Sequence, residues 1–227
     1  MLALAVLPFL LSCVSAHAVQ RRGGCDISKA KIALPSNQTM LVAPKEGPSH
    51  IGLAIGTQNY TCASTGTWTN VGAVAELFDI SCFYGTPEFS KLQDIAYTVW
   101  HVAPPAAGIS AVISFLEPFH ASFVLGQHYF VTSPSGTGIS PKWDFTSASL
   151  SGHPDAFVIA AKVGDIPAPT GPPAVDWLTS SKSRATLRPK FSASIQSAGS
   201  PCFLHRWSAA AHCQVCFTYW LYGSSVH

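Results

Sequence analysis

Three sets of side chains in this sequence have donor atoms suited to metal binding or acid–base work. Cleavage after Ala16 would free the amino group of His17. Amine and ring nitrogen could then chelate copper, with His50, His101 or His128 completing a T-shaped site. The plain alternative is that His17 is discarded with a leader and that His128 makes one hydrogen bond within a strand. Cys202-x-x-His205 followed by Cys213-x-x-Cys216 has the dipeptide spacing of a structural zinc site. The intervening gap is short, and a secreted chain favours disulfides over zinc thiolates. A C-x-x-C redox site needs a helix N-terminus to lower the thiol pKa, whereas Cys216 leads into a strand. Glu76 and Asp79 are three apart, which on a strand puts them on opposite faces, so they cannot jointly flank a glycosidic bond. Nothing in the spacing pairs Asp144 or Asp155 with another acid. There is no G-x-S-x-G elbow and no Ser/His/Asp order. The expectation is therefore no catalytic residue, no cofactor and no metal.

Binding needs less. Trp68 sits in a Thr/Gly/Asn turn and is the first candidate to stack on a sugar ring, followed by Trp143; the plain alternative for Trp68 is a loop-closing apolar contact. Lys182, Arg184, Arg188 and Lys190 cluster with little opposing acid, which reads as a solvated loop or as a patch for acidic cell-wall polymers or phosphate. A net charge of only +2 implies no nucleic-acid partner.

The elements that must hold such residues are strands. Hydrophobic content is 48% and charged content only 11%, a balance typical of extracellular β structure. The 17 Pro and 17 Gly cut the chain into short elements. Strand candidates are 50–58, 73–80, 97–102, 111–116, 122–125, 127–132, 156–163, 175–178, 191–195 and 215–222, with a bend or bulge at Gly126. Helical periodicity is sustained nowhere, although 89–95 could make one or two turns. In the last strand Val215, Phe217, Tyr219 and Leu221 face one way and Cys216, Thr218, Trp220 and Tyr222 the other, the pattern of a strand covered on both sides.

The compartment is read from the N-terminus and the cysteines. Met1 to Leu11 is almost wholly apolar and too short to span a bilayer, and small residues follow it. Residues 1–18 are expected to be a signal peptide and 19–227 one secreted β domain, with 19–22 as a candidate pro-segment ending at Arg21-Arg22. Asn59-Tyr60-Thr61 and Asn37-Gln38-Thr39 are N-glycosylation sequons. Beyond residue 18 the cysteines are Cys25, Cys62, Cys82, Cys202, Cys213 and Cys216. Of the many pairings these allow, Cys62 with Cys82 is favoured because both close adjacent strand candidates, and Cys25 with Cys202 would follow.

Several blocks in order resemble one family. Gly56-Thr57-Gln58-Asn59-Tyr60-Thr61-Cys62 is similar to the G-x-Q-x-Y-x-C strand of the domain of unknown function 3455 family, in its fungal secreted branch. Ala75-Glu76-Leu77-Phe78-Asp79 resembles its A-E-L-F-D block, and Gly126-Gln127-His128-Tyr129 its G-x-H-Y segment. Lys142-Trp143-Asp144, Ala174-Val175-Asp176-Trp177-Leu178 and the aromatic tail 217–222 resemble its later blocks. The stretch from Ser183 to Cys216 departs most. The resemblance implies a secreted β domain of unestablished activity. Some members carry the transferred name malate dehydrogenase, but no G-x-G-x-x-G opens a helix here and no βαβ alternation is visible.

The expectation is an all-β single domain, a β-sandwich or barrel-like fold, stapled by disulfides and glycosylated at Asn59 and Asn37. It would be extracellular or cell-wall associated and non-catalytic, in contact with cell-wall polysaccharide. The alternative is a secreted hydrolytic or copper-dependent enzyme.

Overall fold

The computed structural model describes residues 25–103, 108–116, 123–169, 171, 176–184, 192–198 and 210–223. Eight antiparallel strands close into a barrel in chain order: β1 (His50–Cys62), β2 (Trp68–Asp79), β3 (Val124–Thr132), β4 (Ile139–Asp144), β5 (Phe157–Ile166), β6 (Trp177–Arg184), β7 (Ser192–Ala198) and β8 (Ala210–Tyr222). β8 returns to pair with β1, with Gly52 opposite Tyr219 and Gly56 opposite Val215. The all-β expectation is met as a barrel. Two short helices, α1 (Leu92–His101) and α2 (Ile109–Leu116), lie between β2 and β3 and pack outside the wall.

The period of two along each strand builds two cores from one sheet. Ala54, Ala75, Leu77, Trp143, Val158, Phe217 and Tyr219 point into the barrel and pack there. Ile51, Leu53, Ile55, Cys216, Trp220 and Tyr222 form a second core with Trp100, Ala96 and the N-terminal Ile27 and Ile32. β8 therefore serves both, as its two aromatic faces require.

Small residues let the wall curve. Gly126 adopts φ +153° at the shift in β2–β3 register between Leu77 and Phe78. A Cβ there would fall on the Asp144 carbonyl oxygen, so only glycine serves. A Cβ on Gly56 would likewise meet the Val74 carbonyl oxygen.

Two strand candidates are helices instead. Residues 97–102 belong to α1 and 111–116 to α2. In α1 Leu92, Ala96 and Trp100 recur every four residues and form the inward stripe, with Ala96 and Trp100 buried and Leu92 half-buried, while Ile95 is exposed. The Trp100 indole donates to the Gly56 carbonyl at 2.7 Å, and Gln214 Nε2 donates back to the Trp100 carbonyl at 2.8 Å. These bonds fix the helix against β1 and β8. β4 is the strand with no candidate among the ranges read from the sequence. Pro141 interrupts it, yet a proline is tolerated where its missing N–H costs no ladder bond. Lys182 and Arg184 lie in β6 and not in a loop; Arg188 and Lys190 lie outside the described residues.

The disulfide pairing is corrected. Cys82 bonds Cys25, and Cys62 is free. β1 and β2 form an antiparallel hairpin in which Cys62 faces Trp68 at the tip, while Gly52 faces Asp79 at the other end. Two cysteines that each close a strand of such a hairpin lie at its opposite ends, roughly 40 Å apart for 12 residues. Cys25 arrives instead at the base of the hairpin and takes Cys82, which also removes the pairing of Cys25 with Cys202. Cys202 lies outside the described residues, as do residues 1–24, which hold the expected signal peptide and His17.

Candidate functional site

The barrel is filled at one end and hollow at the other. Leu77, Leu125, Phe145, Ala156 and Leu221 close the end nearest the Cys25–Cys82 bridge. Toward the end of the β1–β2 hairpin tip, a cavity of about 360 Å³ opens between the inner faces of the strands. Small side chains make the room: Ala73 on β2, Ala160 on β5 and Ser180 on β6 face Phe130, Phe217 and Tyr219 across it. Its volume falls at the lower end of small-molecule sites, and the mouth of an eight-stranded barrel is a common place for one.

His128 and Trp143 form one wall. They are register partners on β3 and β4, and their rings stack with centroids 4.7 Å apart at 24°. Tyr219 and Phe130 pack against the edges of His128 at 5.5 and 5.7 Å. His128 Nδ1 lies 3.0 Å from the Lys142 carbonyl oxygen. A carbonyl can only accept, so Nδ1 carries the proton and Nε2 is left as an acceptor. Burial penalises the imidazolium and pulls its pKa down to about 4, the bond to the Lys142 carbonyl opposing this only in part. His128 is therefore a neutral ring at physiological pH. Trp143 is 1% exposed, and its Nε1 has no acceptor among the described residues. Burial also holds the Tyr219 hydroxyl protonated, well above its ordinary range.

Behind this wall, on the outer face, lies a polar knot. Lys142 Nζ and Tyr129 Oη each donate to Asp144 Oδ2 at 2.6 Å, and Lys142 also donates to Tyr129 at 2.9 Å. Thr146 donates to Asp144 Oδ1 through its backbone N–H at 3.1 Å and its hydroxyl at 2.7 Å. The ammonium sits 4.4 Å from the Phe157 ring centre. Burial alone would raise the Asp144 carboxyl, but these donors outweigh it and hold the pKa at about 2. The same contacts keep Lys142 charged against its own desolvation. The knot ties β3 to β4 and thereby sets the His128–Trp143 stack on the inner face.

The remaining sequence candidates are scattered. His50 faces Asp79 at 3.5 Å, and His101 stacks on Tyr97. Neither shares a neighbour with His128, so these three histidines build no common ligand set. Burial would raise the Asp79 carboxyl, but His50 and Ser81 hold it below the usual range. Cys216 is fully buried in the apolar outer core, where desolvation pushes its thiol far up. Glu76 is buried on β2, and Asp155 lies in the turn before β5. No carboxylate is among the described residues lining the cavity.

Trp143, expected as an exposed stacking residue, is an inner-wall residue because its place in the alternation of β4 points it inward opposite His128. Trp68 is half-buried at the start of β2, beside an exposed tip of residues 63–67. Asn37 is exposed in the N-terminal segment, and Asn59 is half-buried in β1. Sequence reading missed the cavity itself. The available signal was the inward set Val215, Phe217 and Tyr219 together with two blocks, 126–129 and 142–144, that pair across β3 and β4.

Among the described residues, no helix is long and apolar enough to cross a membrane. Residues 43–197 match the model of a family described as Protein of unknown function (DUF3455). No curated protein and no solved structure matches the chain.

Proposed function

As the chain belongs to the family described as Protein of unknown function (DUF3455), whose description carries no activity, we propose from its geometry that it is a secreted, non-catalytic binding domain. Its ligand enters the open end of the barrel. The observation that carries this reading is the cavity of about 360 Å³ walled by stacked aromatic rings and lined by no described carboxylate. Glycoside hydrolysis needs two carboxyl groups flanking the bond, so these linings favour holding a ligand over cleaving one. Secretion is supported by the apolar leader, the two sequons and the Cys25–Cys82 bridge, which forms and persists in oxidising compartments. Contact with cell-wall polysaccharide belongs to the rim. A polymer cannot enter a cavity of this size, whereas Trp68 stands at the hairpin tip beyond it.

A thermal-shift screen against small ring compounds and soluble glucan and chitin fragments tests the proposal. At least one class should raise Tm of the native chain and fail to raise that of Ala160→Phe, which fills the cavity. Turnover of a panel member would hand the chain to the enzyme alternative. Shifts that are equal in both proteins would place binding elsewhere. Loss of chitin or glucan retention in Trp68→Ala alone would assign the polysaccharide contact to the rim.

A further inference from the structure

We infer that the barrel cavity selects a neutral aromatic compound bearing a ring hydroxyl, packed among the ring walls with its hydroxyl donating a hydrogen bond to His128 Nε2. This inference rests on the reading of the barrel mouth as a binding site.

The chemistry of the wall carries it. The lining is mainly apolar and aromatic, so a ligand dense in hydroxyls would lose more hydration than the cavity returns. A flat ring matches it, because Phe130, Phe217, Tyr219, Trp143 and His128 offer ring faces and edges. One polar atom on that wall keeps hydrogen-bonding capacity after its internal bond is made. The Lys142 carbonyl occupies the His128 Nδ1–H and so leaves Nε2 a lone pair with no proton. An unmade buried bond is costly, so this lone pair is a standing preference for a donor. A ring hydroxyl is a small uncharged group that donates to it. A carboxylate would find no described cation except Lys162 at the rim, which already lies 3.4 Å from Asp165. Among the described residues, Tyr219 on β8 and Lys162 on β5 are the other titratable groups lining the cavity.

The test is calorimetric titration of the full mature chain with three probes: para-cresol, para-xylene, which has the same outline with a methyl for the hydroxyl, and methyl glucoside. Para-cresol should bind at least tenfold more tightly than para-xylene, and methyl glucoside should give no saturable heat. His128→Phe keeps a ring in the wall and removes the acceptor, so the preference should fall to within threefold. Should that variant fail to fold, 4-methylanisole supplies the same readout on the native chain: its oxygen accepts but cannot donate, so it should bind within about threefold of para-xylene. Equal binding of para-cresol and para-xylene, tighter binding of the glucoside, a preference that survives His128→Phe, or 4-methylanisole binding as tightly as para-cresol would overturn the inference while leaving the barrel mouth a binding site. Absence of binding by all three probes would overturn both.

Discussion

Replacing Asp144 by Asn tests whether the knot behind the His128–Trp143 wall holds β3 to β4. The carboxylate receives Lys142, Tyr129 and both donors of Thr146, and its side chain is only 12% exposed. Its pKa falls from 3.8 to about 2, a differential interaction of about 2.5 kcal/mol at roughly 1.4 kcal/mol per unit. Asp144→Asn removes that term and strands a Lys142 ammonium whose side chain is 16% exposed. The expected loss at pH 7 is about 2–3 kcal/mol, which for a domain of this size lowers Tm by roughly 5–10 °C. The sign with pH is fixed, because the folded pKa is depressed. The carboxylate's contribution is complete above the unfolded value near 4 and disappears as pH falls through about 2. Urea unfolding of both proteins at several pH values between 7 and 2 should therefore show a gap that is constant down to about pH 5 and then narrows. The double variant Lys142→Met/Asp144→Asn should recover part of the loss, since no unpaired ammonium is left. A gap below 0.5 kcal/mol at pH 7 (on the order of a solvent-exposed pair), or one that does not narrow in acid, would falsify this account.

Three further outcomes follow from the fold. The Cys25–Cys82 bridge closes a separation of 57 residues, so Cys25→Ser should cost about 4 kcal/mol by the chain-entropy estimate, read as a lowered urea midpoint. Gly126→Ala should destabilise by several kcal/mol, because φ +153° and the Asp144 carbonyl both oppose a Cβ; an unchanged melting curve would mean that the β2–β3 shift can be built otherwise. In the native protein, iodoacetamide should label Cys62 and spare Cys216 until denaturant is added, since of these two Cys62 alone is accessible and the Cys216 thiolate is strongly disfavoured.

Much of the barrel was legible in the sequence, and the reasons it was not fully so are specific. The double aromatic face of 215–222 identified a strand covered on both sides, because alternation by two survives even where both faces are apolar. The helices were misread because 97–102 and 111–116 are short apolar runs whose period shows only when Leu92 and Ile109 are counted in. β4 hid behind Pro141. The cysteine pairing failed on topology: a residue's place in its strand says nothing about which end of the sheet it occupies until the partner's direction is known. The cavity is the least legible feature, since it arises where small residues on β2, β5 and β6 converge from distant parts of the chain. Spacing along one strand carries no such information.

The seam between β1 and β8 has a consequence for how the protein is made. Ribosomal synthesis delivers β1 long before β8, and until the last strand emerges the sheet has two open edges. Each edge exposes a row of unpaired backbone groups beside apolar side chains that the second core will later cover. Closure is thus the most non-local event in folding, and it waits until β8 has been made. A chain halted before residue 210 would keep most of its strands and yet present an unpaired β1 edge, ready to add another copy's strand. A circular permutant opened in the exposed 133–138 loop, with Tyr222 linked back to His50, would instead make this seam a local hairpin and move the late closure to β3 and β4.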